Sequence, residues 1–230
     1  MKSEADAVAQ RFARRGGAER YNPLRPDVWQ TLQERQRALL GLLAAAGISD
    51  VSTLRLREVG CGSGGNLLEL LRLGFAPANL SGIELLPERL ALARAVLPEA
   101  LRLHGGDALQ APMADASLDI VLVATVFSSL LDDAYQQRLA ETMWRWLKPG
   151  GAVLCYDFTV NNPRNRDVRA VPLARLRALF PQGRMRHRRV TLAPPLARGV
   201  TRLHPALYRW FSALPWLRTH VLVWIDKPQA

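Results

Sequence analysis

The chain has 230 residues, of which 49% are hydrophobic, and it carries a net charge of +11. This length suits one α/β domain with some additions, and the longest apolar runs, Ala38–Ile48 and Ile120–Phe127, fall short of the ~20 residues that a membrane helix needs. Cys61 and Cys155 give neither a disulfide framework nor a metal-ligand spacing, so no metal site is expected. The first twenty residues mix charges without an apolar stretch, which favours a cytoplasmic protein.

The positive charge is concentrated in the last third of the chain. Residues 1–160 carry 17 Lys and Arg against 18 Asp and Glu, whereas residues 161–230 carry 14 against 2. Arginine supplies nearly all of the excess. Two explanations stay open: a generic basic surface, and a site for an anionic partner.

The N-terminal region precedes the predicted core and consists of two parts. Residues 1–20 predict a loose or weakly helical arm. Pro26-Asp27 then begins a helix whose apolar positions share one face, and Gly47 ends it. We therefore assign residues 1–47 to an N-terminal arm and a cap helix.

Strands and helices alternate along the next hundred residues. The predicted strands are Leu54–Gly60, Asn79–Leu85, Leu101–His104, Leu118–Thr125 and Ala152–Phe158. The predicted helices are Asn66–Leu73, Pro87–Leu97 and Asp132–Leu147, the last stopped by Pro149-Gly150-Gly151. Such alternation predicts an α/β fold with a doubly wound, mainly parallel sheet that is covered on both faces.

The C-terminal region has a different pattern. A short helix is expected around Leu173–Phe180, followed by two strands, Arg184–Leu192 and His220–Asp226. Between these strands, Leu207, Trp210, Phe211 and Leu214 have the spacing of one amphipathic helix. The predicted organisation is a core at residues 48–193, an inserted basic and aromatic cap at 194–218, and a final core strand at 219–230.

A glycine-rich loop, Gly60-Cys61-Gly62-Ser63-Gly64-Gly65, joins the first core strand to its helix. Glycines at this place let the backbone turn tightly and approach a ligand. Because Gly60, Gly62 and Gly65 also fit the dinucleotide pattern G-x-G-x-x-G, the loop alone leaves a nicotinamide-dependent oxidoreductase open.

Three acidic residues at the ends of the first three strands separate these possibilities. Glu58 precedes the loop, Glu84 ends the second strand twenty residues after Gly64, and Asp107 follows the third strand. A carboxylate at Glu84 suits ribose hydroxyls, and Asp107 suits an adenine amine. Glu58 would repel a pyrophosphate and attract a cofactor with a cationic amino-acid end.

These residues resemble a known family. Glu58–Gly64 resembles motif I of the class I S-adenosylmethionine-dependent methyltransferases, Gly106-Asp107-Ala108 resembles their adenine-contacting turn, and Leu147–Gly151 is similar to the turn before their fifth strand. The resemblance implies a seven-stranded sheet whose reversed last strand, here His220–Asp226, lies between strands five and six. It also implies that S-adenosylmethionine is bound by Tyr21, Glu58, Gly60, Cys61, Gly62, Gly64, Glu84, Leu85, Asp107, Ala108, Thr125 and Val126.

Acceptor groups are expected above the carboxyl ends of strands four and five. The candidates are Ser128, Tyr156, Asp157, Asn161 and Asn162. Asp157 is the candidate general base, with a loop-capping carboxylate as the alternative, and His204 is a second catalytic candidate if the insert folds over the mouth of the site.

The function predicted from these features is methyl transfer to a small-molecule acceptor, at a hydroxyl, with an anionic or glycan-type acceptor favoured by the basic cap. Ala124-Thr125-Val126-Phe127 lacks the Asn-Pro-Pro sequence that related families use to hold planar amines. The alternatives left open are an RNA methyltransferase using the basic tail, although no RNA-binding module is recognisable, and a binding protein without turnover. Peripheral contact of the cap with an anionic membrane also stays open, as does the choice between monomer and homodimer.

Overall fold

The computed structural model describes residues 4–14, 22–162 and 165–229. The described residues form a seven-stranded sheet in the order β3-β2-β1-β4-β5-β7-β6. Its strands are β1 (Leu56–Val59), β2 (Leu80–Glu84), β3 (Arg102–Gly105), β4 (Leu118–Ala124), β5 (Leu147–Phe158), β6 (Arg184–Leu192) and β7 (Arg218–Asp226). β7 runs antiparallel to both neighbours and the other pairs are parallel. The predicted α/β sheet with a reversed last strand between strands five and six is confirmed.

Eight α-helices accompany the sheet in the described residues. They are α1 (Glu4–Ala13), α2 (Pro26–Ala45), α3 (Gly65–Arg72), α4 (Pro87–Val96), α5 (Asp133–Trp146), α6 (Leu173–Leu179), α7 (Pro194–Leu203) and α8 (Leu207–Ser212). α2, α3 and α4 supply the apolar cluster on one face of the sheet, and α1, α5 and α6 supply the cluster on the other. β4 lies between the two clusters, which explains its almost continuous apolar sequence.

The boundary between α5 and β5 differs from the prediction. The helix ends at Trp146, and β5 begins at once with Leu147, so Pro149 and Gly150 lie within the strand instead of separating it from the helix. Proline is tolerated there because the pairing with β4 is interrupted between Leu118 and Ile120, where no ladder hydrogen bond from Pro149 is needed.

The segment between β6 and β7 contains a helix that the sequence analysis missed. Pro194 and Pro195 lie in the first turn of α7, where an N–H has no intrahelical partner and proline is favourable. The prolines thus begin a helix, whereas the sequence analysis predicted a single helix in this insert, around Leu207–Leu214.

We call α7, α8 and the turn after them, residues 194–217, the cap. Glu34 of α2 anchors it, because its carboxylate accepts hydrogen bonds from Tyr208 Oη at 2.7 Å and from Ser212 Oγ. The same carboxylate accepts the backbone N–H of Thr191 at 2.8 Å. Thr191 lies in β6 and has a φ of 65°. The cap is therefore fixed to α2 and to the end of β6 by buried polar contacts.

Candidate functional site

The loop after β1 has a backbone that requires glycine. Gly60 and Gly62 have φ values of 70° and 58°, which side chains adopt only with strain. A Cβ at Gly60 would also collide with Val126, and one at Gly62 with the guanidinium of Arg89. The loop thus lies against the end of β4 on one side and the start of α4 on the other.

Glu84 holds this loop in place. Its carboxylate is buried at the end of β2 and accepts the N–H of Gly62 at 2.7 Å and the N–H of Leu86 at 2.9 Å. An ionised carboxylate has about four lone-pair sites. Glu84 can therefore accept hydroxyl hydrogens from a ligand while it keeps both backbone contacts.

Asp107 lies at the neighbouring strand end and is oriented by two donors. Its Oδ1 accepts the N–H of Leu109 at 2.9 Å and the hydroxyl of Tyr135. Tyr135 comes from α5. Burial and, to a smaller extent, the hydrogen bond to Asp107 raise the pKa of its hydroxyl well above the usual range. The phenol therefore stays protonated and donates to Asp107. Sequence reasoning missed Tyr135, because nothing in its neighbourhood marks it.

α1 lies across the same edge of the sheet. Phe12 packs under the guanidinium of Arg89, 5.3 Å from the centre of its ring, and Arg11 donates to the carbonyl of Ser129 at 3.1 Å. Glu4 accepts the N–H of Leu131 at 2.8 Å. The helix therefore connects the start of α4 to the loop after β4. Tyr21, which the sequence analysis placed among the residues that bind the cofactor, lies outside the described residues.

The apolar wall of this edge is formed by residues from four parts of the chain. Leu85, Ala108 and Val126, all predicted cofactor contacts, and Phe12 of α1 are partly buried and pack against the same core cluster. Thr125 precedes Val126 with a φ of 55°, and its N–H donates to the carbonyl of Tyr156 at 2.7 Å. A β-branched residue in this conformation is strained, and such strain concentrates at functional sites.

Glu58 is a buried acid with one unsatisfied oxygen. Its Oε1 accepts a hydrogen bond from Asn66 Nδ2 at 2.6 Å, whereas none of the described residues hydrogen-bonds to its buried Oε2. Burial raises the pKa of Glu58 to about 8. Leaving a buried acceptor unpaired costs about 1–3 kcal/mol, so the arrangement fits a ligand that brings a positively charged donor. Cys61 beside it is also buried, and burial raises the pKa of its thiol.

Arg35 of α2 brings a positive charge to the same place. Its guanidinium donates to Asn66 Oδ1 at 2.7 Å, pairs with Glu69 at 3.2 Å and lies 5.2 Å from the centre of the Tyr156 ring. A cavity lies beside it, bounded also by Ala124 and by leucines of α2, α3 and the sheet. Arg35 and Glu58, once Glu58 is ionised, can thus hold the carboxylate and the ammonium group of a zwitterionic amino acid. The sequence did not single out Arg35 among its many arginines.

Asp157, the predicted general base, lies in a closed environment. Its side chain is fully buried, and its two oxygens accept the N–H groups of Ser128 at 3.0 Å and Phe158 at 2.9 Å. Burial raises its pKa to about 7. This is the geometry of the loop-capping carboxylate that we kept as the alternative, since the carboxylate joins the loop after β4 to the end of β5.

The other acceptor candidates are dispersed. Tyr156 is buried, and its hydroxyl is 2.8 Å from Thr191 Oγ1. Asn161 accepts the N–H of Ala170 at 2.7 Å. His204 is exposed, and its Nδ1 accepts the N–H of Ala206 between α7 and α8. Asn162 accepts a backbone N–H within the same loop. The structure does not gather these side chains around one point.

His220 was assigned to the sheet by the sequence analysis, and it also lies at the acceptor edge. It pairs with Phe158 at the carboxyl end of β5 and stacks on Tyr156 with ring centres 5.2 Å apart. Burial lowers its pKa to about 4. The imidazole is therefore neutral at neutral pH.

Comparisons with known proteins agree with this geometry. A family model described as a methyltransferase domain matches residues 57–155. Trans-aconitate 2-methyltransferase of Afipia carboxidovorans is 31% identical over 192 residues, covering 83% of this chain and 67% of that protein. Demethylmenaquinone methyltransferase of Deinococcus radiodurans is 38% identical over 119 residues, covering 50% of this chain and 47% of that protein. The chain thus spans about half the length of this second relative.

Solved structures show the same fold. An S-adenosylmethionine-dependent methyltransferase from Thermotoga maritima superposes with a TM-score of 0.63 at 16% identity, covering 98% of this chain and 100% of that one. Phosphoethanolamine N-methyltransferase 2 of Haemonchus contortus, solved with S-adenosyl-L-methionine, gives a TM-score of 0.59 at 17% identity, covering 83% of this chain and 52% of that one.

Proposed function

Because this chain belongs to the class I S-adenosylmethionine-dependent methyltransferases, we propose that it transfers a methyl group to an ionised oxygen of a small-molecule acceptor. S-adenosylmethionine is its cofactor, and when bound it supplies an electrophilic methyl group on a positively charged sulfur. The single observation that carries the binding of this cofactor is the unpaired, buried oxygen of Glu58 beside the glycine loop. The ionised form of Glu58 would repel a pyrophosphate placed there, which argues against the nicotinamide alternative.

We propose which residues hold the cofactor from the contacts around the glycine loop. We assign the ribose hydroxyls to Glu84 and the adenine amine to Asp107, since each carboxylate is fixed by donors at the end of its strand. The α-ammonium group belongs to Glu58, and the carboxylate of the same amino acid belongs to Arg35. Gly62 lets the backbone approach without an intervening side chain.

The acceptor must be nucleophilic without the help of a general base from the protein. Among the described residues at the carboxyl ends of β4 and β5, Asp157 is fully buried and joins the loop after β4 to the end of β5 through two backbone N–H groups, which is a structural role. His220 is a weak base, because its pKa is lowered to about 4. An acceptor that is already ionised at neutral pH, such as a carboxylate or an acidic hydroxyl, needs no general base. The protein then has to align the acceptor and exclude water.

Two further observations support a small acceptor that is not a planar amine. The loop Ala124-Thr125-Val126-Phe127 offers no side-chain amide or paired prolines for gripping a planar amine. The curated relatives are named for demethylmenaquinone and trans-aconitate, both small molecules. Arginines of the cap would favour the negative charge of such an acceptor.

The test is a screen with methyl-labelled S-adenosylmethionine against matched sets of carboxylates, acidic hydroxyl compounds, neutral alcohols and amines. We expect labelled product in the first two sets and an activity that Asp157→Asn retains to within about tenfold, since loss of a working general base costs about 10²–10⁴-fold. Label on an amine nitrogen, or on RNA with a steep salt dependence of binding, would contradict the proposal. A calorimetric titration with S-adenosylmethionine and with NAD checks the cofactor separately.

A further inference from the structure

The cap carries large apolar side chains on its outer surface. Leu203, Trp210 and Trp216 are 81%, 76% and 73% exposed, and Phe211 and Leu214 are exposed as well. All five lie within residues 203–216, at the end of α7, in α8 and in the turn after it. Isolated exposed apolar residues need no explanation, but a cluster of this density marks an interaction surface.

This exposure is built into the fold of the cap. Tyr208 and Ser212, one turn apart on α8, point inward and bind Glu34 of α2. The polar residues of α8 therefore anchor it, and its tryptophan is left outside. A short helix on the surface of a globular protein usually buries its apolar residues and exposes its polar ones. The cap thus presents its apolar surface on a rigid support.

The same surface is positively charged. The cap, residues 194–217, contains three arginines, Arg198, Arg202 and Arg209, and no Asp or Glu. Arg202 and Arg209 are exposed within the apolar segment itself. An apolar surface with tryptophans and arginines complements an anionic lipid bilayer, because the indoles favour the interfacial region and the guanidinium groups bind phosphates.

The position of the cap relates this surface to the site. α7 follows the carboxyl end of β6, and β7 begins where the cap ends. β6 runs parallel to β5, since both pair antiparallel with β7. The cap therefore lies at the sheet edge that holds the ends of β4 and β5. Three strand spacings separate β4 from β6, which is about 14 Å.

We propose that residues 202–216, which we call the docking segment, bind the surface of an anionic phospholipid bilayer. Leu203, Trp210 and Trp216 enter the headgroup region, and Arg202 and Arg209 contact lipid phosphates. None of the helices in the described residues has the length and hydrophobicity of a membrane span, and the docking is peripheral. It would bring the open edge of the site to the bilayer. The proposal does not depend on the identity of the acceptor.

The experiment measures co-sedimentation of the full chain with vesicles of phosphatidylcholine, with and without phosphatidylglycerol. We expect binding to the anionic vesicles, a blue shift of the tryptophan fluorescence, and binding roughly thirtyfold weaker or more to phosphatidylcholine alone. Arg202→Gln with Arg209→Gln should weaken anionic binding by roughly thirtyfold, since each arginine contributes about fivefold. Trp210→Ser with Trp216→Ser should weaken it by about tenfold or more.

Matched controls lie around β3, the outermost strand on the other side of the sheet from β6 and the cap. Arg94→Gln with Arg102→Gln removes the same charge from α4 and β3, and Leu92→Ser with Val96→Ser removes exposed apolar side chains from α4. These variants should bind the vesicles as the wild type does. Unchanged affinity for S-adenosylmethionine shows that each variant is folded.

Three results would overturn the proposal. One is the absence of vesicle binding at low salt. Another is an equal loss of binding in the control variants. The third is a preference for another partner: a dimer in light scattering that Trp216→Ser dissociates, or binding of RNA without binding of vesicles. Because vesicle binding is measured without turnover, a failure here leaves the proposed methyl transfer untouched.

Discussion

Replacing Glu58 by Gln should stabilise the ligand-free protein at alkaline pH and weaken its binding of S-adenosylmethionine. The carboxyl is fully buried, and burial raises its pKa from 4.5 to about 8. The folded state therefore holds this proton more tightly than the unfolded state. As the pH rises from 4.5 through 8, the carboxyl lowers the free energy of unfolding. Gln has a similar shape and no charge, so the variant loses this contribution.

The size of the effect follows from the two pKa values. One pKa unit corresponds to about 1.4 kcal/mol, so between about pH 6 and pH 9 the carboxyl lowers the free energy of unfolding by roughly 2–3 kcal/mol. For a chain of this length, 1 kcal/mol changes Tm by about 2–4 °C. The Tm advantage of the variant should therefore grow by roughly 5–10 °C over this range.

Calorimetric scans across this pH range measure the stability, and titration with S-adenosylmethionine measures the affinity. The affinity of Glu58→Gln should fall by roughly tenfold to a hundredfold, because a charge-assisted hydrogen bond contributes about 1.5–3 kcal/mol. Glu88→Gln, at an exposed carboxyl of α4, is the matched control and should change neither quantity. If Glu58→Gln and wild type show parallel Tm curves and equal affinities, Glu58 neither ionises in a buried site nor contacts the cofactor.

Three further variants test other parts of the argument. Arg35→Gln should raise the Kd for S-adenosylmethionine by about tenfold or more through loss of a charge-assisted contact, whereas an unchanged Kd in titration would remove Arg35 from the site. Glu34→Ala should lower the free energy of unfolding by roughly 2–4 kcal/mol, because Tyr208 and Ser212 lose a buried partner, and should speed proteolysis within the cap; equal stability in urea would contradict the anchoring role. Asp157→Asn should leave the pH profile of methyl transfer unchanged while destabilising the fold, and loss of an ionisation near pH 7 from that profile would restore Asp157 as a base.

The fold could be predicted from the sequence because its signals are local. β4 is an almost continuous apolar run, and β1 leads directly into a glycine loop while β3 ends on a glycine, so these strands can be recognised without knowing their neighbours. The limits of β5 could not be predicted, since Pro149 within a strand is acceptable only where the partner strand leaves a pairing gap. α7 was missed for a related reason, because the role of its prolines depends on where the helix begins.

The candidate site likewise contains some residues that the sequence predicts and others that it does not. Glu58, Glu84 and Asp107 could be found because parallel strands bring their carboxyl ends to one edge, so that position along the chain predicts position in space. Arg35 and Tyr135 enter the same region from α2 and α5, and their arrival depends on how those helices pack. No local pattern distinguishes them from the other arginines and tyrosines of the chain.

Two buried carboxylates lie near the carboxyl ends of their strands, and the structure assigns them different roles that the sequence alone does not distinguish. Glu58 and Asp157 both end β-strands, both are fully buried, and burial raises the pKa of each, to about 8 and about 7. Both oxygens of Asp157 accept backbone N–H groups, so part of its cost of burial is offset within the fold. One oxygen of Glu58 has no such donor among the described residues. Because an unpaired buried acceptor is retained only at a cost in stability, Glu58 is the carboxylate whose missing partner we expect to be a ligand.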